Sequence, residues 1–460
     1  MRCVAVAALL GTGLALYLAL HFVEPRLAIT WSYAHLGRRA ALPWIGAALV
    51  VLLPPLAAAA WRRPGAARPV PALRWPWVAL AWLVLGVAFA SIGVLAPEHS
   101  VSVDPLQLVL DVRDHRDGNG RWVLLLFVLD HLWHVGRTWC PNLNVFLRIA
   151  NGFIGAGAIV ALGGCARHLG RTRGETLAIA LLAWTALGTL QVSVGYLEVY
   201  PTALLATAIF LWTGLRATEG TLHPAWAALA GALAPFCYVA TVQLLPALLV
   251  VALVELRRPR GLRRLALAAA LGIVAAGAAT IPAFGYPFAF VPLAARISEF
   301  SARGSGLSPN SSLLPLGYVL SAYHARELVH TFLLIDGVGV LLVLVTGTWA
   351  LAARALDAKA AFLALSLVGF VPYVLAFDPV WGAYGDWDLF SYLAAPISLL
   401  GAYALIIWGR SCPRPFALLL GVALAANGVH LLARLNAVAF DLARHQAETP
   451  DHLHARQPSS

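Results

Sequence analysis

Long apolar runs separated by short polar connectors fill most of the chain. Each run approaches the ~20 residues that an α-helix needs to cross a ~30 Å hydrocarbon layer. The pattern predicts spanning helices at about 3–23, 40–60, 76–96, 144–166, 176–195, 198–215, 264–284, 328–353, 358–377, 390–409 and 415–433. Residues 224–256 are one apolar stretch broken by Pro235 and Pro246 and read as a tight pair of short helices. The piece 121–135 (RWVLLLFVLDHLWHV) is too short to span and carries Trp122 and Trp133, so it is expected to lie flat on the outer surface. The first run follows Arg2 without a small-residue cleavage site and reads as a retained helix, not a removed signal.

The fold expected is an all-α, polytopic transmembrane bundle of about 11–13 spans with short interfacial helices on its outer face. It divides into N-terminal helices (1–75), a membrane module (76–433) with outer loops at 97–143, 285–327 and 378–390, and a polar tail (434–460).

Composition agrees with the runs. Hydrophobic residues make up 60% of the 460 and charged ones only 12%, against about 25% charged in soluble domains. The net charge of +11 does not point to nucleic acid, because the cations sit in short connectors between apolar runs. They are arginines apart from Lys359. Arg62, Arg63, Arg68 and Arg74 form one group, Arg167, Arg171 and Arg173 a second, and Arg257, Arg258, Arg260, Arg263 and Arg264 the densest. Arg354 with Lys359, and Arg410 with Arg414, complete the set. All five connectors fall on one side, the cytoplasmic one by the positive-inside rule, if 224–256 is a hairpin and 121–135 does not span. Arg26, Arg38, Arg39 and the polar tail then lie outside, against the trend. None of Cys3, Cys140, Cys165, Cys237 and Cys412 forms a C-x-x-C pair, and no disulfide framework or cysteine-type zinc site is expected.

The side opposite the arginines receives the carboxylates, in three stretches. SVDPLQLVLDVRDHRDGNGRW holds Asp104, Asp111, Asp114 and Asp117 with Arg113, Arg116 and Arg121. Carboxylates crowded beside a low-dielectric boundary repel one another, so one can have a raised pKa, which suits a general base that deprotonates an acceptor hydroxyl. A solvated loop with internal Asp–Arg pairs is the competing reading. GYLEVYPTA places Glu198 between Tyr196 and Tyr200 at the membrane edge. Here the competitor is an interfacial anchor with Glu198 capping the next helix. FDPVWGAYGDWDLFSY packs Asp378, Asp386 and Asp388 against Trp381 and Trp387. Ring faces beside carboxylates suit sugars, because the rings stack on C–H faces and the carboxylates accept from hydroxyls. His131 and His134, with Asp130 and His115, are a weak divalent-metal signal, and no cofactor is expected.

The order of these features resembles the polytopic GT-C glycosyltransferases, such as lipid A aminoarabinose transferases and protein O-mannosyltransferases. The likeness lies in the acidic loop, the short helix RWVLLLFVLDHLWHV, the span NVFLRIANGFIGAGAIVALGGCARHLGR, the pair AALAGALAPFCYVATVQLLPALLVVALVELRR and the late start DWDLFSYLAAPISLLGAY. It implies transfer of a sugar from a polyprenyl-phosphate donor to a glycan, lipid or protein acceptor on the outer face of a bacterial inner membrane. Asp104 and Asp111 would be the leading bases, with Asp114 and Asp117 behind them. Arg113, Arg116 and Arg121 would neutralise phosphate, and Glu198, Tyr200, Asp378, Trp381, Asp386, Trp387 and Asp388 would contact substrate. The chain departs from the family in placing two spans before the one that enters the acidic loop. A secondary transporter, a polysaccharide polymerase or ligase using 285–327, and a scaffold without chemistry are the rival readings.

Overall fold

The computed structural model describes residues 2–20, 75–95, 112–113, 123–280, 316–376 and 387–448. Among these residues every regular element is helical. Among the described residues seven helices are long and apolar enough to cross a membrane, or eight if one pair bent by 70° counts as a single span. The expected span at 40–60 and the basic group at 62–74 lie outside the described residues.

The elements used below are α1 (Arg2–Leu20), α2 (Trp75–Leu95), α3 (Val123–Gly136), α4 (Leu143–Leu169), α5 (Arg173–Thr185), α6 (Leu187–Ser193), α7 (Tyr200–Glu219), α8 (Pro224–Cys237), α9 (Leu248–Leu256), α10 (Gly261–Thr280), α11 (Ala322–Leu342), α12 (Ala358–Val368), α13 (Val371–Ala376), α14 (Ala394–Ser411) and α15 (Pro413–Glu448). A 3-10 segment, Val239–Ala247, joins α8 to α9, and another, Trp387–Leu393, leads into α14. A π turn, Val343–Gly347, extends α11 towards the short helix Thr348–Ala352.

The span Phe390–Ser411 is the axis of the bundle, with 94% of its apolar window buried. α11, α5 and α12 pack around it. Trp75–Leu95 and Gly261–Thr280 are peripheral, with 22% and 11% buried, and present their apolar side chains outward. That inversion of the soluble rule is what a lipid-facing helix needs. α2 lies against α4 through small residues. A Cβ on Gly152 would come within 2.5 Å of Ala90 N, and one on Gly155 within 2.1 Å of Ser193 O. The glycines therefore let backbones touch where side chains would hold them apart.

The ends of the helices sort by charge. Arg410 grips Glu175 through Nε (3.0 Å) and Nη2 (2.7 Å). Lys359 pairs with Glu219 at 2.5 Å and also donates to His168 O. Arg258 donates to Ala217 O and Thr218 O and pairs with Glu255, which also takes Arg264. Tyr403 Oη donates to Asp357 Oδ2 at 2.7 Å. These bonds gather four of the five basic connectors at one end of the bundle. They also close the 224–256 pair as a hairpin, because its start and finish reach the same end: Thr218 and Arg258 touch. Glu219 lies in this web. Burial raises its carboxyl, but hydrogen bonds and charge from His168 and Lys359 outweigh that and hold it below the usual carboxylate range.

One expectation is corrected here. Cys3 and Cys412 form a disulfide across 409 positions of sequence, with Cα atoms 5.9 Å apart. Spacing gave no hint of it, because packing of α1 on α15 brings the two residues together. Cys140, Cys165 and Cys237 are free.

Candidate functional site

At the end away from the arginines, α4 organises a polar turn. Asn151 Nδ2 donates to Tyr196 O (2.7 Å) and Glu198 O (2.9 Å), and Arg148 Nη1 donates to Gly93 O (3.1 Å). Gly195 takes φ +64°, which suits glycine, so the chain can reverse between α6 and α7. Tyr196, Glu198 and Tyr200 are all buried, at 4%, 4% and 6% exposure. The tyrosines are thus packed inside the protein instead of presented to headgroups. The N-cap of α7 is Val199. The burial of the tyrosines counts against the anchor reading.

From Tyr200 an aromatic chain runs to the last span. Tyr200 meets Tyr238 at 5.8 Å, Tyr238 meets Tyr392 at 5.6 Å, and Tyr392 meets Phe370 at 5.4 Å between ring centroids. Tyr392 Oη and Ser391 Oγ are buried and have no hydrogen-bond partner among the described residues. A buried hydroxyl left unpaired costs about 1–3 kcal/mol, so such groups call for a partner that arrives. Trp387 and Asp388 begin the same 3-10 segment.

Next to this chain lies a cleft of about 580 Å³ between α11, α12, α13 and α14. Leu328, Phe332, Val340, Leu344, Phe370 and Leu393 are among its lining side chains, and every lining residue is apolar. Behind Leu375, which lines it, His324 is buried with Nε2 bonded to Leu375 O at 2.8 Å. The cleft is therefore an apolar slot that adjoins the Tyr392 ring through Phe370.

α11 is broken inside its apolar run. Asp336 has φ −164° and ψ 66°, and its carboxylate accepts from Gly339 N (2.8 Å) and from Ser398 Oγ. Asp336 thus caps the second half of the helix. The carbonyls released by the break are met from other helices. His430 Nε2 donates to Leu334 O at 2.8 Å, and Tyr17 Oη donates towards Leu333 O at 3.1 Å. In the neutral ring His430 Nδ1 is then an acceptor, and Tyr17 Oη lies 2.6 Å from it. Asp336 escaped the sequence reading, although a lone carboxylate in FLLIDGVGVLLVL was a visible signal.

The acidic-loop residues Asp104, Asp111, Asp114, Asp117, Arg116 and Arg121 lie outside the described residues, as do Asp378, Trp381 and Asp386. Of that first loop, Val112 is buried in the core and Arg113 is exposed. His131 Nδ1 bonds Phe127 O and His134 Nδ1 bonds Asp130 O, so each ring turns back onto its own helix. Among the described residues no group of three or more His, Cys, Asp or Glu side chains is placed to hold a metal. α3 keeps an exposed apolar stripe of Val128, Leu132 and Val135, and Trp133 packs on Phe146 of α4.

No family model, no curated protein and no solved structure matches this chain. Every regular element among the described residues is helical, and their seven long apolar helices mark a multi-pass membrane protein.

Proposed function

We propose that the protein is a GT-C-like glycosyltransferase of a bacterial inner membrane, moving a sugar from a polyprenyl-phosphate donor to an acceptor on the outer face. The observation that carries the reading is the wholly apolar cleft beside the unpartnered hydroxyl of Tyr392. A slot of that lining suits a long hydrocarbon chain, and the buried hydroxyls of Tyr392 and Ser391, beyond Phe370, suit the polar head joined to such a chain. Phe370 belongs to both features, since it lines the cleft and touches the Tyr392 ring. Glu198, Tyr200 and the segment Trp387–Leu393 are at the same end, away from the arginines. In this reading Asp104 or Asp111 removes the acceptor proton, Arg113, Arg116 and Arg121 face the phosphate, and Asp378, Trp381, Asp386, Trp387 and Asp388 form the sugar surface.

The test is mass spectrometry of polyprenyl-linked sugars and envelope glycans in a deletion strain, complemented with wild type, Asp111→Asn or Val371→Trp. Loss of one glycan modification with build-up of its lipid donor, reversed by wild type alone, supports the transferase. Unchanged lipids and glycans in the deletion strain would remove it.

A secondary transporter is favoured by one observation. Asp336 sits at a helix break in the apolar interior, and a second break, of 70°, separates α5 from α6. Broken helices carrying a carboxylate are a transporter device. Solute uptake lost in Asp336→Asn, with glycans intact, would select this reading.

A further inference from the structure

The disulfide and the arginines stand at the same end of the bundle. Cys412 follows Arg410 by two positions and joins α14 to α15, and Cys3 opens α1. Short basic connectors mark the cytoplasmic side, and that compartment keeps thiols reduced. A bond placed there is not a permanent staple. We propose that Cys3 and Cys412 form a reversible redox latch on the cytoplasmic face, which fastens α1 to the bundle when oxidised and releases it when reduced.

Exposure sets the chemistry. Cys412 is buried at 3%, whereas Cys3 is half-buried and is the sulfur that a small molecule reaches first. A low-molecular-weight thiolate attacks Cys3 Sγ, the protein S–S bond breaks, and the electron pair leaves on Cys412 Sγ. A second thiolate attacks the mixed disulfide and frees Cys3 Sγ as a thiolate. The two small thiols depart joined as their own disulfide. Two electrons have passed to the protein, and two protons follow from water when the thiolates are protonated. Oxidation by the small disulfide is the same sequence reversed. The other cysteines do not compete: Cys165 is buried inside the core, and Cys140 and Cys237 belong to the ends of α4 and α8 away from the arginines.

The latch acts on the cleft through α1. Fourteen positions after Cys3, roughly 21 Å along a helix, Tyr17 bonds His430 and Leu333 O beside the break in α11. Leu333 lines the cleft, and so does Leu341, whose Cδ2 lies 3.4 Å from a Cβ built on Gly13. α1 therefore backs the cleft wall. With the bond open, α1 is held by packing and by Tyr17.

The experiment uses the full-length protein in intact cells. Free thiols are blocked with a maleimide, disulfides are then reduced, and the thiols released are tagged with a heavy maleimide read as a gel shift. The latch predicts that growing cells carry reduced Cys3 and Cys412, that a membrane-permeant disulfide oxidant adds a two-tag shift, and that Cys3→Ser or Cys412→Ser abolishes the shift. Purified protein should also lose hydrogen-exchange protection in α1 when reduced, and the double serine variant should match the reduced form. A bond that stays fully oxidised against a permeant thiol, or never forms with the oxidant, overturns the proposal. So does equal reduction by an impermeant thiol outside the cell, which would place this end in the oxidising compartment.

Discussion

Arg410 reaches Glu175 across 235 positions of sequence and meets it with two nitrogens, at 3.0 Å and 2.7 Å. Glu175 also accepts Arg171 N at 2.6 Å, while Thr172 Oγ1 caps the same helix by accepting Glu175 N. One carboxylate thus closes the start of α5 and fastens it to the central span. The Glu175 side chain is 6% exposed and that of Arg410 23%. Removing one member of a buried pair strands the other, at about 3–5 kcal/mol. Arg410→Ala and Glu175→Ala should each lower stability by about that much, read by unfolding in mild detergent. The double variant should cost less than the sum.

Acid should weaken the web at Glu219. The folded carboxyl sits below its unfolded value because His168 and Lys359 favour the charged form. Its stabilisation is then fully present above the unfolded value, about 4.3, and is lost as pH falls through the folded value. The melting temperature of wild type should exceed that of Glu219→Gln at neutral pH, and the gap should close in acid. A gap independent of pH would show that the carboxylate charge contributes nothing.

The break in α11 should depend on a cap. Asn can replace Asp at an N-cap, whereas Ala cannot, at about 0.5–2 kcal/mol. Asp336→Asn should keep near wild-type stability and Asp336→Ala should lose about 1–2 kcal/mol. Tyr17→Phe should cost about 1 kcal/mol by removing the one hydroxyl proton that Leu333 O and His430 Nδ1 share as acceptors. Thermal melts of the three variants in one detergent make the comparison.

The contact between α4 and the α6–α7 turn admits no side chain. Gly155→Ala puts a methyl 2.1 Å from Ser193 O, a backbone atom that cannot swing aside. Overpacking of this kind costs about 1–3 kcal/mol. A matched change at Gly277, where nothing lies within 4 Å, should be silent. Yield of monodisperse protein and melting temperature should separate the two.

Much of the fold was legible because the bilayer imposes it locally. A run of twenty apolar residues must be helical, since lipid offers no partner for the backbone, and arginine connectors alternate with such runs whatever the packing. The hairpin at 224–256 was readable from Pro235 and Pro246. The site was less legible. Ser391 and Tyr392 belong to FDPVWGAYGDWDLFSY and Arg148 and Asn151 to NVFLRIANG, both visible in the sequence, but the partners of these side chains depend on what faces them.

The sequence by itself determined the helices, their approximate ends, and the gathering of basic connectors, because hydropathy and charge act through the solvent at each position. Only the tertiary structure decided which helices touch. It paired Cys3 with Cys412, set Tyr17 and His430 against the broken turn at Asp336, and opened an apolar cleft beside Tyr392. Those relations join residues up to 409 positions apart. Contacts inside a membrane rest on close packing and on the satisfaction of individual polar atoms, and neither leaves a periodic trace in one chain.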